Sequence, residues 1–180
     1  TPAVWRGPMV SGALQQMLTG SAWHDLDYLL IDLPPGTGDI QLTLAQKVPV
    51  CGAVIVTTPQ DVALIDVEKA IGMFTRVKVP ILGVVENMSM HVCSNCGHQD
   101  HIFGIAGGDK LAQQHQVELL GSLPLERQIR ELSDAGKPIV VADPKSPSAQ
   151  QFFAIANKVS LQLTKLPRDY NLPATSIVIE

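Results

Sequence analysis

Residues 28–39 read YLLIDLPPGTGD. An apolar run ends on an acid, Asp32, then gives way to two prolines, two glycines and a second acid, Asp39. A run with no polar alternation predicts a strand covered on both faces, the pattern of parallel sheets. Ligands of such sheets gather outside the carboxyl ends of the strands. Asp32 therefore stands where a carboxylate can hold Mg²⁺, usually through water, beside nucleotide phosphates. Gly36 and Gly38 lack a Cβ, so their backbone can approach a phosphate closely. Pro34 and Pro35 stiffen the entry to the turn. Asp39 opens the next helix as its N-cap. An acid after an apolar strand is common, so taken alone Asp32 reads as a plain strand cap and PPGTG as an ordinary loop; the whole run is more specific than the acid.

On either side of this stretch, strands and helices alternate. Residues 8–19 predict a helix with Pro8 in its first turn and Gly20 as its stop. IQLTLAQKV after Asp39 predicts another. GAVIVTT (52–58), ILGVVENM (81–88) and ELLGSLP (118–124) predict buried strands, and PIVVAD (138–143) a shorter one. Asp61 is a candidate cap for the helix that follows, whose Val62, Ile65, Ala70, Ile71 and Phe74 approximate one apolar stripe. Further helices are expected at GGDKLAQQHQ, at LERQIRELSDAG up to Gly136, and from Ser146 or Ser148 through the last long apolar-periodic segment. The alternation predicts an α/β fold, a mainly parallel sheet flanked by helices. Residues 1–165 are expected to form one domain, with 166–180 a loosely held tail in which TSIVI is a candidate extra strand.

The 180 residues are 46% apolar and 17% charged, enough for one full core. The net charge of −4 argues against a large nucleic-acid footprint, which needs a basic face. No apolar stretch reaches the ~18 residues of a membrane span, and the first residues lack the pattern of a secretion signal. Three cysteines, one of them outside the single Cys-x-x-Cys pair, do not suit a secreted disulfide framework, so a reducing cytoplasm is the expected setting.

The second informative stretch is HVCSNCGHQDH, residues 91–101, within a Cys/His-rich loop at 89–102. Cys93 and Cys96 have the spacing that lets two thiolates from one turn bind one metal. Gly97 permits the turn. Two sulfurs do not complete a site, and Cys51, a whole strand–helix–strand unit away, reads as a small buried residue. Four readings stay open: a cluster completed by other ligands, zinc held with two histidines or by two chains, a redox dithiol, or no metal. His91, His98 and His101 are expected as solvated loop residues.

LLIDLPPGTGD resembles the Walker B and switch II segment of the Mrp/NBP35 (ApbC) iron–sulfur cluster carriers, a group of MinD/ParA-like P-loop ATPases. WRGPMVSGALQQML, TTPQDVALIDVEKA, GVVENMS, CSNCG, IFGIAGGDKLA and LGSLPLERQIRELSDAGKPIV extend the resemblance over about residues 4–160. It implies a three-layer P-loop NTPase-like fold, with this chain as its C-terminal part. The family's Gly-rich, Lys-bearing phosphate loop has no counterpart here: PPGTGD and IAGGDK have the wrong spacing. The first strand and phosphate loop are therefore expected upstream, and the 180 residues alone are expected neither to bind ATP tightly nor to hydrolyse it.

The resemblance assigns Asp32 and Asp39 to catalysis, and Pro35, Gly36, Gly38, Asn87 and Pro124 to the nucleotide. Asn87 would read adenine and Pro124 would lie against the base; their plain readings are a loop cap and a strand-to-helix turn. Arg6 and Gly7 would face a second subunit. Cys93 and Cys96 of each subunit would jointly hold a [4Fe–4S] cluster across a homodimer, with zinc as a possible substitute. ATP with Mg²⁺ would act in the full-length protein, and the recipients would be apo iron–sulfur proteins. No nucleic acid or membrane is implied. A zinc-binding structural module and a MinD/ParA-type positioning ATPase are the competing functions; paired thiolates weigh against the latter.

Overall fold

The computed structural model describes residues 7–33, 36, 38, 41, 42, 48, 50–93 and 95–167. Helix α1 spans Gly7–Gly20. Three parallel strands follow along the chain, β1 (Ala53–Thr57), β2 (Ile81–Glu86) and β5 (Leu119–Ser122), in the spatial order β1-β2-β5. Between them lie α2 (Asp61–Arg76), a two-residue antiparallel ribbon β3 (His91–Val92) and β4 (Gln99–Asp100), and α3 (Gly107–Gln114). Helices α4 (Arg127–Asp134), α5 (Ile139–Ala142) and α6 (Pro147–Lys165) complete the described chain.

The layers follow from which residues are apolar. Every residue of β2 after Ile81 is buried, as its continuous apolar run predicts for a central strand. One core packs Ile55 and Val84 of the sheet against Ile71 and Phe74 of α2 and Leu111 and Ala112 of α3. The opposite face packs Val85, Leu120 and Leu123 against Phe152, Ile155 and Val159 of α6. A parallel sheet between two helical layers is the expected three-layer α/β architecture. Val84 and Leu120 are fully buried, each worth roughly 1.5–3 kcal/mol of apolar transfer. Helix α6 starts with Pro147 in its first turn behind Ser146, whose Oγ accepts from Ala149 N at 3.2 Å, a cap worth about 1 kcal/mol. Ser148 is not the cap; its hydroxyl donates to Glu126 Oε2 at 2.7 Å. Among the described residues no helix is long and apolar enough to cross a membrane.

Five expectations need correction. Residues 28–33 are neither strand nor helix, and Leu30 is 89% exposed. A strand needs a hydrogen-bonded neighbour, and among the described residues β1 pairs only with β2. PIVVAD forms helix α5 rather than a strand, because Val141 N and Ala142 N bond back to Pro138 O at 2.9 and 3.0 Å. The buried stripe of α2 runs through Leu64, Val67, Ile71 and Phe74, leaving Val62 and Ile65 exposed. Gln60, not Asp61, occupies the N-cap of α2; Asp61 is its first residue, an acid at the positive helix end. Cys51 is exposed, lying just before the edge strand rather than inside it. The TSIVI segment, the tail beyond Pro167 and most of the helix expected after Asp39 lie outside the described residues, although Gln41 and Leu42 are helical.

Candidate functional site

Parallel strands place their carboxyl ends on one rim. Thr57, Glu86 and Ser122 close β1, β2 and β5 there. The next residues are stitched across the rim: Asn87 N donates to Thr57 O at 2.7 Å and Leu123 N to Glu86 O at 2.8 Å. This brings Asn87 and Pro124, far apart in sequence, to the ends of neighbouring strands. Asn87 Oδ1 accepts from Met88 N at 2.9 Å, which orients the amide and leaves its NH₂ end for a ligand acceptor.

The stitching continues outward. Ser89 donates to Leu123 O through both its backbone N and its Oγ, each at 3.0 Å. Leu125 N donates to Met90 O at 2.8 Å, and His91 pairs with Leu125 in a parallel bridge. The His91 Nδ1–Leu125 O distance is 3.1 Å and the His101 Nδ1–Ser89 O distance 2.9 Å. A carbonyl only accepts, so each ring carries its proton on Nδ1 and serves to fasten this loop.

Cys93 and Cys96 sit at the tip, between β3 and β4. Cys93 N donates to His98 O and Gly97 N to Cys93 O, both at 2.9 Å. Gly97 has φ 72°, a left-handed conformation that suits glycine. Backbone N–H groups of Asn95 and Cys96 point at the Cys93 sulfur, followed by a contact with the Cys96 side chain. Together they outweigh a small desolvation effect and hold the Cys93 thiol below its usual range. A turn that aims N–H donors at a thiolate is prepared for a metal-bound sulfur. Among the described residues no three Cys, His, Asp or Glu side chains are grouped to hold one metal ion. The histidines expected as loop residues are thus not gathered around the thiols.

The other expected site is only partly in view. Asp32 is exposed on the 28–33 segment. Gly36 is half-buried with φ 99°, and Gly38 O accepts from Leu42 N at 3.3 Å, so the turn feeds helical residues. Pro34, Pro35, Asp39 and Arg6 lie outside the described residues, while Gly7 begins α1. A shallow cleft between the start of α2 and residues 103–110 is lined by Pro59, Asp61, Leu64, Phe103, Ile105 and Lys110. No candidate nucleotide or metal residue lines it.

Sequence reasoning missed Glu86. This carboxylate is 5% exposed, and its Oε2 accepts from Gly108 N, at the start of α3, at 2.6 Å. The signal was an acid closing the apolar run ILGVVE, the same signal that singled out Asp32.

Residues 1–160 match the family described as ParA, NUBPL iron-transfer P-loop NTPase. An iron-sulfur cluster carrier protein of Pseudomonas fragi is 68% identical over 156 residues, covering 87% of this chain and 54% of that protein. The chain thus spans about half the length of the curated relatives it matches. Among solved structures, a nucleotide-binding protein from Archaeoglobus fulgidus, in complex with ADP, superposes with a TM-score of 0.67 at 42% identity, over 80% of this chain and 58% of that one. The cell division ATPase MinD of Pyrococcus furiosus, 23% identical, shares the fold with a TM-score of 0.62 over 87% of this chain and 59% of its own.

Proposed function

The chain belongs to the ParA/NUBPL iron-transfer P-loop NTPase family, and from that premise we propose that it is the cargo-holding part of an iron–sulfur cluster carrier. Cys93 and Cys96 are the clamp. The carrying observation is a knuckle with two thiols, one of them acidified by backbone donors, and no third ligand grouped with them among the described residues. A [4Fe–4S] cargo takes four thiolates. Two copies of the knuckle related by a two-fold axis supply them, which makes the carrier a homodimer with an isologous contact at this tip. A cluster held by two sulfurs from each subunit is released when the subunits shift, as delivery to an apoprotein requires. Zn²⁺ fits the same four sulfurs and is the expected occupant after aerobic purification.

The nucleotide half of the reading rests on the rim. Asn87 and Pro124 would face the base. Asp32 would hold Mg²⁺ through water, and Asp39 would orient the attacking water or sense the terminal phosphate. Pro35, Gly36 and Gly38 would form the turn beside the phosphates. The sequence contains no phosphate loop with its Lys, so these residues supply only part of an ATP site.

The test is anaerobic reconstitution of the protein encoded by the complete reading frame. We expect a broad absorption band near roughly 400 nm, about four irons per two chains, and transfer to an apo iron–sulfur protein. Cys93→Ser and Cys96→Ser should each abolish stable loading. Loading and transfer that survive Cys93→Ala would reject the clamp. Zinc with no cluster under anaerobic conditions would favour a structural metal module.

A further inference from the structure

The segment that carries the knuckle leaves the sheet at Asn87 and returns at α3. Its entry is fixed by the bonds of residues 87, 89, 90 and 91 to the rim. Its exit is fixed differently. Ala106, at the N-cap of α3, has φ 56° and no side-chain cap bond. The capping acceptor comes instead from Glu86, 22 residues before Gly108, whose buried Oε2 lies 2.6 Å from Gly108 N. A buried carboxylate is costly unless it is hydrogen-bonded, and a helix N-terminus is a favourable partner for it. The fit is tight: a Cβ on Gly108 would stand 2.9 Å from Glu86 Cβ.

We propose that Glu86 is a positioning residue for the cysteine knuckle, locking the exit of the knuckle segment to the strand from which it departs. The proposal rests on the reading of Cys93 and Cys96 as a metal clamp. Glu86 touches no cargo; it acts by holding α3 against the end of β2, which fixes both ends of the segment relative to Asn87.

Two measurements on the protein encoded by the complete reading frame test this. The first is amide exchange at Cys93 and Gly97 without metal, since both N–H groups bond within the knuckle. The second is Co²⁺ titration, read by thiolate-to-cobalt absorption. Loss of a bond to a buried charged group predicts that Glu86→Ala speeds exchange at both amides about ten-fold and weakens Co²⁺ binding about ten-fold. Glu86→Gln keeps an acceptor oxygen and should stay within about three-fold of the parent on both measures. Leu111→Ala, a core change in the same helix, should lower thermal stability without shifting either measure. If Glu86→Ala does not fold, Gly108→Ala, which pushes the same contact apart, carries the test with the same expected direction.

Unchanged exchange and Co²⁺ affinity in Glu86→Ala, or equal shifts in Leu111→Ala, would overturn the proposal. A parent protein that binds no Co²⁺ through thiolates would instead defeat the clamp reading, while the exchange data still decide the role of Glu86.

Discussion

Gly97 and Glu118 show how single residues carry separable jobs. An Ala at 97 would meet nothing within 4 Å, so its cost is the left-handed backbone alone, about 1 kcal/mol. Gly97→Ala should therefore fold normally and lose about five-fold in Co²⁺ affinity, measured by titration. Glu118 serves stability. Its Oε1 lies 3.2 Å from Lys158 Nζ, and its Oε2 accepts from Gln162 Nε2. The Lys158 bond, aided by Gln162 and opposed by desolvation, holds the Glu118 carboxyl below its usual value of 4.5. A depressed folded value means that the contribution is present above the unfolded value and lost as the pH falls through the folded one. The pair is substantially exposed, so solvent screening limits it to about 0.5 kcal/mol. The thermal midpoint of Glu118→Gln should trail the parent slightly at neutral pH and converge with it in acid.

Strand β1 is where the elements leave unfinished business. Among the described residues it pairs on one side only, and Val56 is 57% exposed on it. An accessible apolar edge favours pairing with another chain. We expect the 180-residue chain by itself to self-associate, and Val56→Lys to shift it toward monomer in sedimentation velocity. Leu120→Ala, in the fully buried heart of β5, should instead cost about 2–5 kcal/mol in chemical denaturation. The central strand β2 was legible in the sequence because its apolar run coincides with burial on both faces. YLLIDL carries the same signal, yet Tyr28, Leu29 and Leu30 lie exposed and only Ile31 and Leu33 are partly covered. Composition states that a segment can be a strand, but not that a partner lies beside it. PIVVAD failed for a related reason: bonds back to Pro138 turn a short run into a helix before any sheet can recruit it. Val62 and Ile65 were misread because α2 offers two overlapping apolar stripes, and only packing selects one.

For the molecule as a whole, the rim and the knuckle have different standing. The Cys93–Cys96 turn was legible because sulfur spacing and a glycine are local facts. Asn87 and Pro124 were named by resemblance, and the topology supplies a reason for their proximity. Glu86 escaped because its partner is distant in sequence. On the proposed reading, the nucleotide site would need a phosphate loop besides these residues, and the 180 residues contain none. The 180-residue chain alone should therefore show no ATP turnover above background in a phosphate-release assay. Turnover by the 180 residues alone would refute that reading.

The ladder between residues 86–91 and 123–125 makes a lever. Leu125 is tied to Met90 through one backbone bond and to His91 through its ring, and Cys93 is two peptide units further on. If a purine rests against Pro124 as proposed, a push on that residue would tug on this linkage. Such a push would then be carried toward the sulfurs along bonds that run outside the sheet.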